Sequence, residues 1–198
     1  MKVMVFDVGG TEIKYSVMDE QMNRFDAGSV PTPQDTQEHF LDTIYALYAP
    51  HKDEVDGIAM ALPGFVDANT GYVSNGGALL YNTGTQVGQL VRERCGCRVT
   101  LENDGKAAAI AELRAGALQG CCNAAVFIIG TGVGGGISKQ PLLLDDLRRV
   151  YAGLFASRGE SPYMIGLPRC EIVPCHFSSE ANQVGALYTY LQAESKTI

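Results

Sequence analysis

An α/β fold is predicted by three features of this 198-residue sequence. Apolar runs of strand length recur at Lys2 to Phe6, Val55 to Leu62 and Ala124 to Ile129. Each is too short for most helices and fits a buried strand. Between them lie stretches with apolar residues at helical spacing. Finally, the β-prone segment Val99 to Leu101 hands over through Glu102-Asn103-Asp104 to Lys106-Ala107-Ala108-Ala109-Ile110-Ala111-Glu112-Leu113, a strongly helix-prone run. Strands alternating with helices in this way belong to layered α/β architectures.

The elements follow in order. Residues 2–8, 12–18 and about 23–30 read as an antiparallel meander. Gln34 to Ala49 is an amphipathic helix with Phe40, Leu41, Ile44, Leu47 and Tyr48 on one face, entered at Pro31 and Pro33 and left at Pro50. His39 and His51 lie on or beside it as surface groups. Val55 to Leu62 is apolar enough to be a central strand, and it empties into Pro63-Gly64-Phe65-Val66-Asp67. Asn69-Thr70-Gly71 is a turn, and Ser74 to Leu79 is a polar, glycine-bearing loop. A second amphipathic helix spans Gln86 to Cys95, and Arg98 to Leu101 leads to the handover. Past the alanine-rich helix and the strand ending at Ile129 come Gly130-Thr131-Gly132-Val133-Gly134-Gly135-Gly136, read as a turn. A helix around Leu142 to Ser157, a short strand at Glu171 to Pro174 and a helix from about Ser179 to Gln192 complete the chain.

Composition narrows the function classes. A net charge of −7 with no basic cluster argues against nucleic acid and against an anionic membrane surface. No apolar run is long enough to span a bilayer, and Met1 leads into a strand with no signal-peptide pattern, so a cytoplasmic protein is expected. Cys95, Cys97, Cys121, Cys122, Cys170 and Cys175 lack the paired spacing of structural zinc sites and read as reduced thiols, buried or incidental.

The chemistry is concentrated in the two glycine turns and the handover. Asp7-Val8-Gly9-Gly10-Thr11 follows the first strand and precedes a returning one, Ile13 to Met18; the stretch from Gly130 to Gly136 repeats that design without the carboxylate. Backbone N–H groups in such turns can approach an anion closely. Neither matches a P-loop or a dinucleotide fingerprint. Two hairpins facing each other across a cleft would grip a polyphosphate, with Asp7 placed to hold its metal ion. Asn103 and Asp104, where a strand meets a helix N-terminus, occupy the usual address of an active-site carboxylate. A helix N-cap is the structural alternative for Asp104.

Four blocks in order carry a resemblance: Asp7-x-Gly-Gly-Thr11-x-x-Lys14, Leu62-Pro63-Gly64-x-Val66-Asp67, Glu102-Asn103-Asp104-x-x-Ala107-Ala108-Ala109, and Gly130-Thr131-Gly132-x-Gly134-Gly135-Gly136. Together they resemble the signature of the ROK sugar kinases, a branch of the actin-like, hexokinase-type ATPases. The resemblance implies an actin-like ATPase (ribonuclease H-like) fold, with a complete amino-terminal lobe at 1–117 and a shortened carboxy-terminal lobe at 118–198. It also implies ATP and Mg²⁺ as cofactors, a hexose-type substrate and a homodimer.

By the same resemblance Asp104 is the catalytic base and shares substrate binding with Asn103, Gly64, Asn75, Gly76 and Gly77. Gly9, Gly10, Thr11, Thr131, Gly132 and Gly134 hold the nucleotide with Asp7, which also binds the metal, and Lys14 adds a positive charge. Glu102 reads as structural. A solvated connector is the alternative for the loop around Asn75. Ala181-Asn182-x-x-Gly185-Ala186-Leu187 resembles the family's closing segment, whereas the Gly-Glu-x-Gly-His sugar block and the zinc block do not occur. A sugar- or nucleotide-binding protein that has lost turnover is therefore the second reading. DNA binding through the helix-turn-helix of the family's repressors is not expected.

Overall fold

The computed structural model describes residues 1–121, 125–129, 133–137 and 175–195. The amino-terminal part is a meander of β1 (Lys2–Val8), β2 (Glu12–Asp19) and β3 (Arg24–Pro31), then helix α1 (Gln37–Tyr48) and β4 (Gly57–Leu62). A small hairpin follows, β5 (Phe65–Asp67) and β6 (Tyr72–Asn75), then α2 (Val87–Cys95), β7 (Arg98–Asn103) and α3 (Asp104–Ala115). Beyond it lie the antiparallel pair β8 (Ala125–Ile129) and β9 (Val133–Ile137), and the helix α4 (Ala181–Ser195).

The main sheet has the order β3-β2-β1-β4-β7, with β1, β4 and β7 parallel and the meander antiparallel. This order is that of the actin-like, ribonuclease H-like fold. Alternation along β1 and β4 sorts their side chains onto two faces. Met4, Phe6, Ile58 and Met60 pack with Phe40 and Ile44 of α1 and Val87 and Val91 of α2. Val3, Val5, Ala59 and Ala61 face the other way, against α3 and α4. On this second face small residues (Ala59, Ala61, Ala107, Ala108, Ala111, Ala186) pack beside Met18, Leu187 and Tyr190. The elements approach so closely that a Cβ on Gly185 of α4 would lie 1.7 Å from the carbonyl oxygen of Ala107 in α3.

Boundaries shift where side chains supply hydrogen bonds that periodicity does not reveal. Helix α1 starts at Gln37, three residues later than expected, because Thr36 is its N-cap and accepts from the His39 N–H (3.2 Å). Gln34, placed in that helix by the sequence, instead donates to the carbonyls of Gly10 and Thr32. Strand β7 continues to Asn103, paired with Leu62, rather than stopping at Leu101. The run Gly134 to Gly136 is not part of a turn: these residues lie in β9, opposite Ile128, Phe127 and Val126. Helix α4, expected with a second lobe, packs on the main sheet and on α3. The expected elements at 142–157 and 171–174 lie outside the described residues, as do Cys122 and Cys170.

Surface groups are paired. His39 meets Asp35 (2.9 Å), and His51 meets Glu54 (2.5 Å) with Asp26 nearby. The described cysteines are free thiols: Cys95 and Cys97 are half-buried, Cys121 and Cys175 exposed. Burial pushes the Cys95 thiol up to about 12. No helix among the described residues is long and apolar enough to cross a membrane.

Candidate active site

The parallel strands β1, β4 and β7 end along one edge of the sheet. Their register places Asp7 beside Ala61, Ala61 beside Glu102, and Leu62 beside Asn103. The carboxyl ends of parallel strands are where open α/β sheets bind ligands, because the chain leaves the ladder there with unpaired backbone groups.

Asp104 occupies the first position of α3, and the cap of that helix is its neighbour. Asn103 Oδ1 accepts from the Lys106 N–H at 3.0 Å, so Asp104 is relieved of the N-cap role that its position also allowed. Asn103 Nδ2 uses its two hydrogens on the Gly64 carbonyl (2.8 Å) and on Asp104 Oδ1 (2.9 Å). The Gly105 N–H also donates to Asp104 Oδ1 at 2.7 Å. One oxygen of Asp104 is thus held from two sides, while Oδ2 accepts from no other residue among those described. Burial raises the carboxyl above its ordinary range, against the bonds from Gly105 and Asn103. A carboxylate so placed is a better proton acceptor than a free aspartate.

Asp7 repeats the arrangement. It is 9% exposed, and Asn182 Nδ2 of α4 donates to its Oδ1 at 3.0 Å. Burial pushes its carboxyl up; the Asn182 amide and Lys14, its cross-strand partner, oppose that, and the charge of Asp104 adds to it. The two carboxylates therefore feel each other. Glu102 is also buried and raised by burial; it accepts from the Asn103 N–H at 2.9 Å, in keeping with a structural part.

The bend after β1 is braced from outside. The Gly9 N–H donates to the Glu12 carbonyl (2.9 Å), Thr32 Oγ1 donates to the Gly9 carbonyl (2.8 Å), and Gln34 Nε2 donates to the Gly10 carbonyl (2.7 Å). With their carbonyls committed, Gly10 and Thr11 present N–H groups that bond no acceptor among the described residues. Such a bend fits a phosphate.

The polar loop after β6 closes the ring. Asn75 Oδ1 accepts from the Gly77 N–H (2.8 Å), and Thr83 Oγ1 accepts from the Gly76 N–H (3.0 Å). Gly64 has φ +90°, and a Cβ there would meet the Asn75 carbonyl oxygen at 2.0 Å and the Gly77 nitrogen at 2.7 Å. A Cβ on Gly10 would come within 2.8 Å of Ala78 Cβ. The phosphate-type bend, the loop, Gly64, Asn103 and Asp104 therefore form one contiguous rim. Of the remaining sequence-predicted residues, Gly134 lies in β9 and not in a bend, while Thr131 and Gly132 lie outside the described residues. The loop is exposed at Asn75, Gly77 and Ala78 and packs against Gly64 through its backbone and against Gly10 through Ala78 Cβ.

The donor set suits Mg²⁺, a hard cation that takes one or two carboxylates and keeps several waters. Both Asp7 and Asp104 have one oxygen tied by protein donors and one left over. Sequence reasoning missed Asn182 as a site residue, along with the bracing side chains Thr32, Gln34 and Thr83. Asn182 stands one residue into a helix far along the chain, and no local pattern links it to Asp7.

The family model described as "ROK family" matches residues 3–143. A β-glucoside kinase from Klebsiella pneumoniae is 30% identical over 148 residues, which is 75% of this chain and 50% of that protein. The crystal structure of a ROK family glucokinase from Streptomyces griseus, in complex with glucose and AMPPNP, aligns with a TM-score of 0.62 and 32% identity, covering 69% of this chain and 44% of its own. A ROK hexokinase from Thermus thermophilus aligns over 98% of this chain and 100% of its own, with a TM-score of 0.69; at 19% identity it supports the fold alone. The chain spans about half the length of the first two relatives.

Proposed function

This chain belongs to the ROK family, and from that premise we propose that it transfers the γ-phosphoryl group of ATP to a hydroxyl of a hexose or hexose derivative. The observation that carries the reading is the single rim in which the Gly9–Thr11 bend, the Asn75–Ala78 loop and Asp104 meet. A bend suited to a phosphate and a half-buried carboxylate whose proton affinity is raised by burial are two parts that phosphoryl transfer to an alcohol requires. The named relatives act on or bind a β-glucoside or glucose, which supports a sugar as the acceptor.

Each residue has a defined part. Asp104 accepts the proton of the attacking hydroxyl through Oδ2, while the Gly105 N–H and Asn103 amide hold Oδ1 and so fix the plane of the carboxylate. Asn103, with both amide hydrogens committed, acts on the sugar chiefly by orienting Asp104 and by tying Gly64 to it. Gly64, Asn75, Gly76 and Gly77 supply the loop backbone that faces the sugar hydroxyls. Gly10 and Thr11 donate N–H groups to phosphate oxygens, and Lys14 contributes positive charge beside Asp7. Asp7 would hold Mg²⁺, which when bound neutralises charge on the transferring phosphate. By the family resemblance, Thr131 and Gly132 would add contacts to the nucleotide.

A coupled ADP-release assay with glucose, N-acetylated hexosamines, fructose and β-glucosides tests this reading on the 198-residue chain. Sugar-dependent ADP release is expected, and Asp104→Asn is expected to lower kcat by 10²–10⁴-fold, the usual worth of a general base, with the sugar still bound. Phosphorylation retained in Asp104→Asn would refute the base assignment. Tight binding of ATP and sugar without turnover by the wild type would establish the binding-protein reading instead.

A further inference from the structure

The two carboxylates of the site are each held by an asparagine, one from the middle of the sequence and one from far along it. Asn103, adjacent to Asp104 in sequence, pins that residue's Oδ1. Asn182, 175 positions from Asp7, does the same for Asp7 Oδ1. Among the described residues Asn182 is the only side chain hydrogen-bonded to Asp7. Helix α4 is locked against rotation where it makes this contact. One turn along, Gly185 packs against the Ala107 carbonyl with no space for a Cβ, and further on Tyr190 Oη donates to the Asp56 carbonyl at 2.8 Å. Arg98 lies 4.5 Å over the Tyr190 ring and pairs with Glu194 at 3.0 Å.

We propose that Asn182 is a positioning residue for the metal–nucleotide complex: by holding Oδ1 of Asp7 it leaves Oδ2 as the oxygen presented to the ion, so that docking of the carboxy-terminal helix completes the nucleotide site. The inference rests on the reading of Asp7 as the metal carboxylate. Its physical basis is the two-fold freedom of a carboxylate about its terminal torsion, which an ion must otherwise suppress on binding. A ligand whose geometry is already set by an outer hydrogen bond binds the ion with less loss of freedom. A buried acid needing only to be satisfied could have taken any donor. Here the donor is carried by a helix whose rotation is set at three separate points.

The test measures binding and not turnover. Mn²⁺ binding is followed by electron paramagnetic resonance, and Mn²⁺-dependent binding of a fluorescent ATP analogue by titration. The proteins are wild type, Asn182→Ala and Gln183→Ala, with sugar affinity and urea midpoint measured on each. Asn182→Ala is expected to weaken Mn²⁺ and nucleotide binding about tenfold, as for loss of one hydrogen bond to a charged group, and to leave sugar affinity unchanged. Gln183→Ala, which alters a buried neighbour on the same helix, is expected to lower stability only. Should Asn182→Ala fail to fold, Asn182→Ser, whose hydroxyl is too short to reach Asp7, carries the same expectation. Unchanged nucleotide affinity in a folded Asn182 variant overturns this inference alone. A wild type that binds no nucleotide with Mn²⁺ overturns it together with the proposed function.

Discussion

Replacing Glu112 with glutamine should destabilise this fold by about 2–3 kcal/mol at pH 7, the cost of leaving buried N–H groups without an ionised acceptor. Glu112 lies on α3 and is 0% exposed. Its Oε2 accepts from the N–H groups of Ala117 and His176, and its Oε1 from that of Phe177, all at 2.9 Å. The carboxylate thus clasps the end of α3 to the segment that enters α4. A glutamine can offer one oxygen, best placed at the Oε2 position, and then turns its NH₂ toward the Phe177 N–H. One bond is lost and two donors are set face to face. Alanine strands all three N–H groups and should cost about 3–5 kcal/mol, as when one partner of a buried charged network is removed. For a chain of this size the glutamine change corresponds to a melting point lower by roughly 4–12 °C.

The pH dependence sharpens the test. Burial alone would raise the Glu112 carboxyl, but the backbone N–H groups of His176, Phe177 and Ala117 outweigh it and hold it below the ordinary 4.5. Its folded pKa is therefore depressed. The stability it contributes is fully present above the unfolded value and is lost as pH falls through the folded one. Urea denaturation of wild type and Glu112→Gln, followed by circular dichroism from pH 7 down to about 3, should show the gap closing below the ordinary glutamate range. A glutamine variant within about 0.5 kcal/mol of wild type at pH 7, or a gap that ignores pH, would refute the clasp.

Two further expectations concern the second face and the base. Gly185→Ala places a Cβ 1.7 Å from the Ala107 carbonyl oxygen, so α3 and α4 must separate; a loss of about 1–3 kcal/mol is expected in the same urea experiment, and a neutral result would mean that the helices do not cross there. Asp104 has the opposite linkage to Glu112. Its folded pKa is raised by burial from 3.8, so its favourable contribution is complete below the unfolded pKa and disappears as pH rises through the folded value. Asp104→Asn should consequently melt at or above the wild-type temperature at pH 7 while losing activity, whereas a clear loss of stability would show that the ionised carboxylate is structurally required.

Much of this molecule is legible without coordinates because its signals are local. Short apolar runs mark β1 and β4 as buried strands, and helical spacing in α1 brings Phe40, Leu41 and Ile44 to one face. The same local rules placed Asp104 at a strand-to-helix handover and a glycine bend after Asp7. They misassigned Gly134 to Gly136, because glycine-rich sequence reads as a turn even when neighbouring backbone holds it in a ladder.

What the amino-acid order determined by itself was most of the described elements, the buried face of α1 and the chemical character of the candidate site: two carboxylates, a glycine bend and a polar glycine loop. Only the tertiary structure decided which groups restrain those carboxylates. Asn103 serves as cap and brace at once, Gly64 touches Asn75 and Gly77, Glu112 gathers three N–H groups, and Asn182 reaches Asp7 from the far end of the chain. Hydrogen bonds at about 3 Å depend on rotation and approach distance between packed elements. Those quantities are set by the small-residue contact of α3 with α4, and no window of neighbouring residues contains them.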